Sequence, residues 1–329
     1  GKALHPFRRR VRNSVDALPE VEISEADNIR SLHLDDLVAW CRERGFPSYR
    51  ASQVAGWLYQ RPPCDVASMH NLPAVLRAAL EEDFDASRPC EALLQQSEDG
   101  TRKLLVGLAD QRVVESVLIP RDDRNTLCIS SQVGCALGCD YCATARLGLV
   151  RNLEPFEIVG QVMMARELAR PEPLTNYVFM GMGEPLANIE RLLRTLAILT
   201  SPWGLGISPR RITVSTVGLV PQLERLVRET DVHIAISLGS AINEVRDVLM
   251  PLNRRYPLEE LMAACRRLDL PRRKRITFEW KDGALFAPVA RGDALRKKPY
   301  ASEPLRQMHE GALPGQAIPE VPVLAEIER

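Results

Sequence analysis

Between Thr126 and Trp280 the sequence alternates short apolar runs with amphipathic segments, and this alternation constrains the fold more than any other feature. Apolar residues recur at helical spacing from Ile158 to Leu168, behind an acidic first turn. Strands that alternate with helices through short loops predict an α/β fold with a parallel sheet, whose site lies at the C-terminal ends of the strands. The predicted strands are Thr126–Ser130, Asn176–Met180, Arg211–Ser215, His233–Leu238 and Arg275–Trp280, and the helices between them include Pro155–Arg170, Ile189–Leu199, Pro221–Arg228 and Leu258–Leu268.

Three cysteines follow the first of these strands. Cys135, Cys139 and Cys142 have the spacing CxxxCxxC. Three thiolates can hold three irons of a cubic four-iron cluster and leave the fourth iron open to a small molecule. A structural zinc site needs a fourth protein ligand, which His233 or Cys128 could supply. The spacing favours the iron–sulfur cluster over zinc.

The bulk composition indicates a globular chain. At 329 residues and 45% hydrophobic content, the length predicts about two domains with a sizeable core. No apolar run approaches the roughly 20 residues that a membrane span needs, so we expect no membrane association. A basic start without an apolar stretch predicts a cytoplasmic protein with reduced thiols. Eight cysteines are too sparse for a disulfide framework.

Charge is balanced overall but clustered locally. Lysine plus arginine and aspartate plus glutamate both total 43, so net charge says nothing about partners. Basic residues are dense in three places, Lys2–Arg12, Arg254–Arg255 and Arg266–Arg275. Such clusters suit the phosphates of a nucleic acid, although a solvated protein face is the commoner explanation for any one of them.

The pattern divides the chain into five parts. A basic tail covers residues 1–30, and residues 31–90 predict a helical accessory domain, which we expect to bind RNA. Alternating residues at 91–120 predict two or three antiparallel strands that act as an adaptor. The strand–helix alternation occupies 121–280. Residues 281–329, interrupted by prolines, predict a divergent and disordered tail.

A second motif ends the strand at Asn176–Met180. The run Phe179–Pro185 reads FMGMGEP, a strand followed by a glycine turn. Glycine lets the backbone approach a ligand closely, and Glu184 with the turn carbonyls offers acceptors for an ammonium group. A Rossmann phosphate loop would place hydrogen-bond donors where this chain has Glu-Pro. Taken alone, the motif could equally be a tight structural turn.

Together, these two motifs resemble the radical S-adenosylmethionine superfamily, and in particular the adenine-C2 RNA methyltransferases of RlmN type. The resemblance covers about residues 30 to 280. The stretches that carry it, besides the two motifs, are Tyr49–Arg61, Thr126–Cys135, Arg211–Gly218 and Val245–Leu258. It implies a partial (β/α)6 radical-SAM barrel with an N-terminal helical domain and a small antiparallel adaptor.

The resemblance also implies a cofactor site. Cys135, Cys139 and Cys142 would hold a four-iron, four-sulfur (4Fe-4S) cluster, whose open iron is chelated by the amino and carboxylate groups of S-adenosylmethionine. The residues that would contact the rest of that cofactor are Gly183, Glu184, Ser215, Ser237, Leu238 and Gly239. Glu115 matches the family's proton acceptor, and Cys128 matches the thiol that resolves a covalent protein–RNA intermediate.

The implied reaction methylates C2 of an adenosine in 23S rRNA, and in tRNA for many members. One S-adenosylmethionine methylates a cysteine near the C-terminus, and a second yields the 5′-deoxyadenosyl radical that activates this methyl group. The resemblance implies a monomer that takes electrons from a donor such as flavodoxin.

The chain departs from the family pattern in two places. Gly239 stands where the family has histidine, and neither a sixth strand nor a cysteine is found after Cys265. We therefore expect a chain that binds the cluster and S-adenosylmethionine but completes methyl transfer poorly. Two alternatives stay open, a non-catalytic RNA-binding homologue and a C8-adenosine methyltransferase.

Overall fold

The computed structural model describes residues 28–60, 65–121, 123–270, 274, 276–280 and 285–286. Its central feature is one nine-stranded sheet, which confirms the mixed α/β fold. In spatial order the strands are β1 (Cys90–Gln96), β2 (Arg102–Gly107), β3 (Val113–Arg121), β4 (Arg124–Cys128), β7 (Asn176–Phe179), β8 (Ile212–Thr216), β9 (His233–Gly239), β10 (Ile276–Trp280) and β11 (Leu285–Phe286). Two more strands, β5 (Gln132–Gly134) and β6 (Leu149–Asn152), form a separate antiparallel hairpin.

The sheet joins two kinds of strand pairing. Strands β1 to β4 are antiparallel, whereas β4, β7, β8, β9 and β10 run parallel to one another. The antiparallel strands therefore continue the parallel ones through β3 and β4, instead of forming a separate layer. Each predicted parallel strand is confirmed to within two residues, whereas the sequence did not predict the β5–β6 hairpin.

Nine α-helices lie in the described residues. They are α1 (Leu34–Glu43), α2 (Tyr49–Tyr59), α3 (Ala74–Asp83), α4 (Ala143–Arg146), α5 (Pro155–Leu168), α6 (Ile189–Thr200), α7 (Val220–Glu229), α8 (Asn243–Leu249) and α9 (Leu258–Arg267). Helix α5 begins with Pro155 after a capping box formed by Glu154 and Glu157, which satisfies the first N–H groups of the helix.

The two faces of the parallel strands differ in chemistry. One face is apolar and buried, with Phe179, Val214 and Ile236 sharing a core with the helices. Burying each such side chain contributes about 1.5–3 kcal/mol. Side chains alternate across a strand, so the other face carries residues such as Ser215 and Ser237. The core thus fixes one face of the sheet and leaves the polar face for a site.

The N-terminal helices pack against the parallel part of the molecule. The Oγ atom of Ser31 accepts a hydrogen bond of 3.2 Å from the backbone N–H of Phe156, and Arg194 donates one of 2.8 Å to Asp36. Trp57 and Tyr59 are buried in the core of this helical module, while Tyr49 is 56% exposed. Of these aromatic side chains, Tyr49 is therefore the one left free to contact a partner.

The last parallel strand is followed by a short antiparallel one. Strand β11 pairs with β10 through Phe278 opposite Phe286 and Glu279 opposite Leu285. Within the described residues there is no sixth parallel strand, and two residues cover part of the edge that such a strand would occupy. The remainder of the predicted tail, and the basic tail 1–27, lie outside the described residues.

Lys274 belongs to a predicted basic cluster, but the structure buries its side chain. Lys274 is 8% exposed, and its amine donates to the backbone carbonyls of Val227 and Thr230 at the C-terminal end of α7. It therefore stabilises a helix end and cannot contribute to a basic surface. None of the helices in the described ranges is long and apolar enough to cross a bilayer.

Candidate functional site

The β5–β6 hairpin holds the cysteine loop at the C-terminal end of β4. Gly134 has φ +77°, and an added Cβ would lie 1.8 Å from the carbonyl oxygen of Gly148, so only glycine fits there. The next residue, Cys135, donates its N–H to that same carbonyl at 3.0 Å. The hairpin turn thereby fixes where the first thiol of the loop points.

The three thiols lie close to one another on this loop. Cys135 and Cys139 are buried and Cys142 is half-buried. The pKa of Cys135 is raised to about 11 and that of Cys139 to about 12, mainly by burial and in smaller part by the negative charge of Glu184 and of the neighbouring thiols. No set of three or more histidine, cysteine or carboxylate side chains among the described residues surrounds a single point as one metal ion requires.

The donor set fits an iron–sulfur cluster. Thiols with pKa values this high are protonated near neutral pH, and a bound iron would keep them as thiolates by supplying positive charge. The buried loop offers three sulfur ligands and excludes most water. These residues can therefore hold three corners of a cluster.

The glycine motif packs against the segment that leads into the cysteine loop. The backbone N–H of Glu184 donates a hydrogen bond of 2.8 Å to Oε1 of Gln132, three residues before Cys135, and the nearby charge of Glu184 helps to raise the pKa of the Cys135 thiol. An added Cβ at Gly183 would lie 2.5 Å from Gln132, and one at Gly181 would lie 2.6 Å from Ser130. The expectation that these glycines make room for a ligand is therefore incomplete, because both first make room for the chain's own β4–β5 segment.

Glu184 is engaged by its own chain more than the sequence predicted. It is 3% exposed, and its carboxylate accepts hydrogen bonds of 3.0 Å from the N–H groups of Leu186 and Val217. Burial raises its pKa to about 7, with these hydrogen bonds opposing the rise. Glu184 thus ties the glycine turn to the end of β8, and it can accept a further donor only through its remaining lone pairs.

Ser215 and Ser237 lie side by side on the polar face of the sheet. Their hydroxyl oxygens are 3.4 Å apart, and both donate to one oxygen of Glu279 on β10. The sequence had not singled out Glu279, because one glutamate on a strand carries no pattern. Strand register places it beside Ser237 in the neighbouring strand.

The loop after β9 is held by a buried arginine. Arg246 is 1% exposed and donates to the carbonyl oxygens of Leu238 at 2.9 Å and Val217 at 2.6 Å. Gly239 follows with φ +68°, and an added Cβ would lie 2.8 Å from the sulfur of Met250. This backbone disfavours the family's histidine at Gly239.

Glu115 and Cys128 lie on adjacent strands and face the same side. Cys128 pairs with Val117, two residues beyond Glu115 on β3. The pKa of Cys128 is raised to about 12, mainly by burial and in smaller part by the charges of Glu279 and Glu115. Glu115 is half-exposed and lies 3.4 Å from the amine of Lys103. The thiol of Cys128 therefore lies near the carboxylates of Glu115 and Glu279 on the polar face.

The zinc alternative fails for its proposed histidine ligand. His233 begins β9, four residues before Ser237, so it lies roughly 13 Å away along the strand, at the end opposite to the cysteine loop. The charged groups that act on Cys128 are Glu115 on β3 and Glu279 on β10, and none of them belongs to the cysteine loop.

Comparison with known proteins identifies the class and then the family. Residues 129–269 match the family model of the radical SAM superfamily, and residues 27–85 match that of the ribosomal RNA large subunit methyltransferase N-terminal domain. A crystal structure of a radical SAM methyltransferase from Sphaerobacter thermophilus is similar, with TM-score 0.72, 43% identity and coverage of 77% of this chain and 75% of that one. The chain is therefore a member of the radical SAM superfamily.

Two curated relatives narrow this further. The dual-specificity RNA methyltransferase RlmN of Geobacter sulfurreducens is 50% identical over 253 residues, covering 77% of this chain and 69% of the relative. The enzyme of the same name from Geotalea uraniireducens is 48% identical over 256 residues, covering 78% of this chain and 74% of the relative. The chain belongs to the RlmN family.

Proposed function

We propose that this chain is a radical SAM RNA methyltransferase that acts on C2 of an adenosine in ribosomal and transfer RNA, using S-adenosylmethionine and a 4Fe-4S cluster. The observation that carries the proposal is the junction of the two motifs, where the N–H of Glu184 in the glycine turn donates at 2.8 Å to Gln132, three residues before Cys135. It brings three thiols and the glycine turn to one end of the parallel strands, beside Ser215 and Ser237.

The protein's part in this chemistry is binding and positioning. Cys135, Cys139 and Cys142 hold the cluster, which when bound supplies the electron that cleaves the sulfonium. Carbonyls of the turn around Gly183 and the remaining lone pairs of Glu184 accept hydrogen bonds from the ammonium group of the cofactor. The buried surroundings exclude water from a reactive radical.

Ser215, Ser237, Leu238 and Gly239 form the remainder of the cofactor pocket in this proposal. The two serine hydroxyls lie on the polar face, and Arg246 fixes the carbonyl of Leu238. Rigid support of this kind keeps the reacting groups aligned at no further entropic cost.

Glu115 and Cys128 act on the substrate side. Glu115 accepts a proton from the adenine ring, and its half-exposed position lets it reach a base inserted from outside. The thiol of Cys128 is neutral at physiological pH because its pKa is about 12. As a resolving nucleophile it must therefore lose its proton to a nearby base, and it has an intermediate to resolve only where a methyl-carrying cysteine is present.

The partners follow from the same proposal. We infer that the chain works as a cytoplasmic monomer, receives electrons from a flavodoxin-like donor and binds its RNA through residues of the N-terminal helices. The exposed ring of Tyr49, with the guanidinium of Arg50 4.8 Å from its centre, suits stacking on an RNA base.

Anaerobic reconstitution tests the proposal. The wild-type chain should take up about four irons, turn brown and cleave S-adenosylmethionine under dithionite. Cys139→Ser should lose both properties, whereas Cys90→Ser, at an exposed cysteine outside the loop, should keep both. A colourless wild-type product that contains zinc would refute the proposal, and RNA retention by an iron-free chain would favour the non-catalytic alternative.

A further inference from the structure

Glu279 forms a polar cluster that the proposed function does not yet use. Its Oε2 atom accepts hydrogen bonds from the hydroxyl of Ser215 at 3.3 Å and from that of Ser237 at 3.2 Å. The three residues sit on three neighbouring parallel strands, β8, β9 and β10, and face the same side. Two hydroxyl donors from separate strands hold this carboxylate in one orientation.

The second oxygen of this carboxylate is left open. Among the residues that the structure describes, no group donates to Oε1 of Glu279, because both serine hydroxyls go to Oε2. Burial raises the pKa of this carboxyl, which means that removal from water is not fully compensated by its partners. Glu279 is half-buried, so this oxygen remains reachable, and an acceptor that two neighbours orient and that no described residue donates to is well suited to a ligand.

The position along the sheet indicates which part of a ligand reaches it. The cysteine loop follows β4 and the glycine turn follows β7, so the methionine end of the cofactor belongs at that side of the sheet. Strands β8, β9 and β10 lie successively further away. An elongated ligand anchored at the glycine turn would therefore extend its nucleoside over Ser215, Ser237 and Glu279.

The chemistry of that nucleoside fits the open oxygen. A ribose carries two neighbouring hydroxyl groups, each able to donate one hydrogen bond. Carboxylates bind ribose hydroxyls in the same way in dinucleotide-binding folds, where an acidic residue accepts from the 2′-hydroxyl. The ammonium group, the other strong donor of the cofactor, belongs at the opposite end of the ligand.

We propose that Glu279 is a cofactor-binding residue whose Oε1 atom accepts a hydrogen bond from a ribose hydroxyl of the S-adenosyl group, with Ser215 and Ser237 orienting the carboxylate. This inference rests on the proposed function, because it requires an S-adenosyl ligand at the site. It adds β10 to the strands that build the pocket.

Calorimetric binding to the anaerobically reconstituted full chain tests this, with S-adenosylhomocysteine and its 2′-deoxy and 3′-deoxy analogues as probes. A hydrogen bond to a charged acceptor is worth about 1.5–3 kcal/mol, so the wild-type chain should bind at least one deoxy analogue roughly 10-fold or more weakly. Glu279→Gln should weaken binding of S-adenosylhomocysteine and reduce the discrimination between the probes to less than about threefold.

Thr277→Val is the matched control. Thr277 lies two residues earlier on β10, and its hydroxyl donates to the backbone carbonyl of Ile234. This variant disturbs the same strand and should keep the wild-type discrimination. If Glu279→Gln does not fold, Glu279→Asp, which keeps the charge and withdraws the carboxylate by one methylene, should lose the discrimination as well.

The outcomes separate this inference from the proposed function. Equal affinity of the wild-type chain for all three probes would overturn the role of Glu279 and leave the proposed function intact. Retained discrimination in folded Glu279→Gln would do the same. A reconstituted wild-type chain that binds none of the probes would overturn both.

Discussion

At the scale of single residues, two buried cations support the loops and helix ends around the site. Arg246 donates hydrogen bonds to backbone carbonyls at the C-terminal ends of β8 and β9, and Lys274 donates to those at the C-terminal end of α7. Within the part of the chain that the structure describes, the hydrogen-bond acceptors of both cations are neutral oxygens and include no carboxylate. Each cation therefore gives up hydration to satisfy carbonyl groups that would otherwise be buried without a donor.

Replacing Arg246 should loosen the cofactor pocket. Arg246→Met leaves two buried carbonyl groups without their donor, and we expect a loss of about 2 kcal/mol in the free energy of unfolding, after the gain from removing a buried charge. Urea denaturation of the wild-type chain and the variant measures this difference in the free energy of unfolding. Arg225→Met, which removes an exposed ion pair with Glu190, should change stability by less than about 1 kcal/mol. Equal stabilities of the two variants would contradict the structural role of Arg246.

Lys274 should give the chain a distinctive response to alkaline pH. Desolvation lowers the pKa of its amine to about 8, partly opposed by the charge of Asp231. Between pH 8 and the ordinary lysine pKa of about 10.4, the unfolded chain binds a proton that the folded chain does not. The free energy of unfolding contributed by this group therefore rises with pH across that window.

The comparison with Lys274→Met isolates this effect. The wild-type chain should gain about 1 to 3 kcal/mol relative to the variant as the pH increases from 8 to 10.5, measured by urea denaturation at several pH values. A stability difference that is flat over this range, or that falls, would show that the amine is not desolvated in the folded chain.

At the scale of elements, the β5–β6 hairpin does most to place the cysteine loop. It is short, it lies outside the main sheet, and its pairing shifts register between Val133 and Gly134. The backbone of Gly134 meets the carbonyl of Gly148 in this turn, and Arg151 beyond it pairs with the buried Glu157 of α5 at 2.7 Å. The hairpin is thus fixed at the turn and at the helix.

Two glycines of this hairpin provide a matched pair of substitutions. Gly134→Ala should cost about 3 kcal/mol or more, because alanine is strained at φ +77° and its Cβ would overlap the Gly148 carbonyl. Gly148→Ala has a similar φ of +67° but open space, and should cost only about 1 kcal/mol. Iron content after reconstitution should fall in Gly134→Ala and persist in Gly148→Ala. Equal iron content in both would show that the hairpin does not position the loop.

At the scale of the whole molecule, the site depends on strands from both halves of the sheet. Glu115 comes from the antiparallel part, and Cys128 comes from β4, where the antiparallel and parallel parts meet. Ser237 and Glu279 come from the far parallel strands. The sheet must therefore assemble completely before the proposed catalytic and cofactor-binding groups face one another.

The last cysteine of the 329 residues, Cys265, is unsuited to carry a methyl group. It packs half-buried against the core in α9, and burial raises its pKa to about 12. We therefore expect the purified 329-residue chain, given RNA, S-adenosylmethionine and dithionite, to form 5′-deoxyadenosine in excess of 2-methyladenosine. Mass spectrometry of both products measures this, with the Geobacter sulfurreducens relative as control. Equal 2-methyladenosine yields from the two proteins would contradict the expectation.

Much of the fold could be predicted because its signals are local. Helix α5 shows its period and its acidic start, and β9 contains the apolar run Ile234–Ile236, so both are predicted almost to their ends. The hairpin was missed because β5 and β6 contain only three and four residues, too few to show an alternating pattern. Lys274 was misplaced because a lysine among arginines gives no sign that its amine is buried.

The sequence by itself determined the ligand chemistry and the order of elements. Three thiols at fixed spacing after a strand, and a glycine turn after the next parallel strand, are set by neighbours along the chain, and short-range sterics and periodicity suffice to read them. Only the tertiary structure decided that Glu184 binds its own backbone, that Arg246 is buried and that Glu279 faces Ser215 and Ser237. These contacts join residues from 8 to 64 positions apart, and strand register, which sequence periodicity does not specify, brings Glu279 beside the two serines.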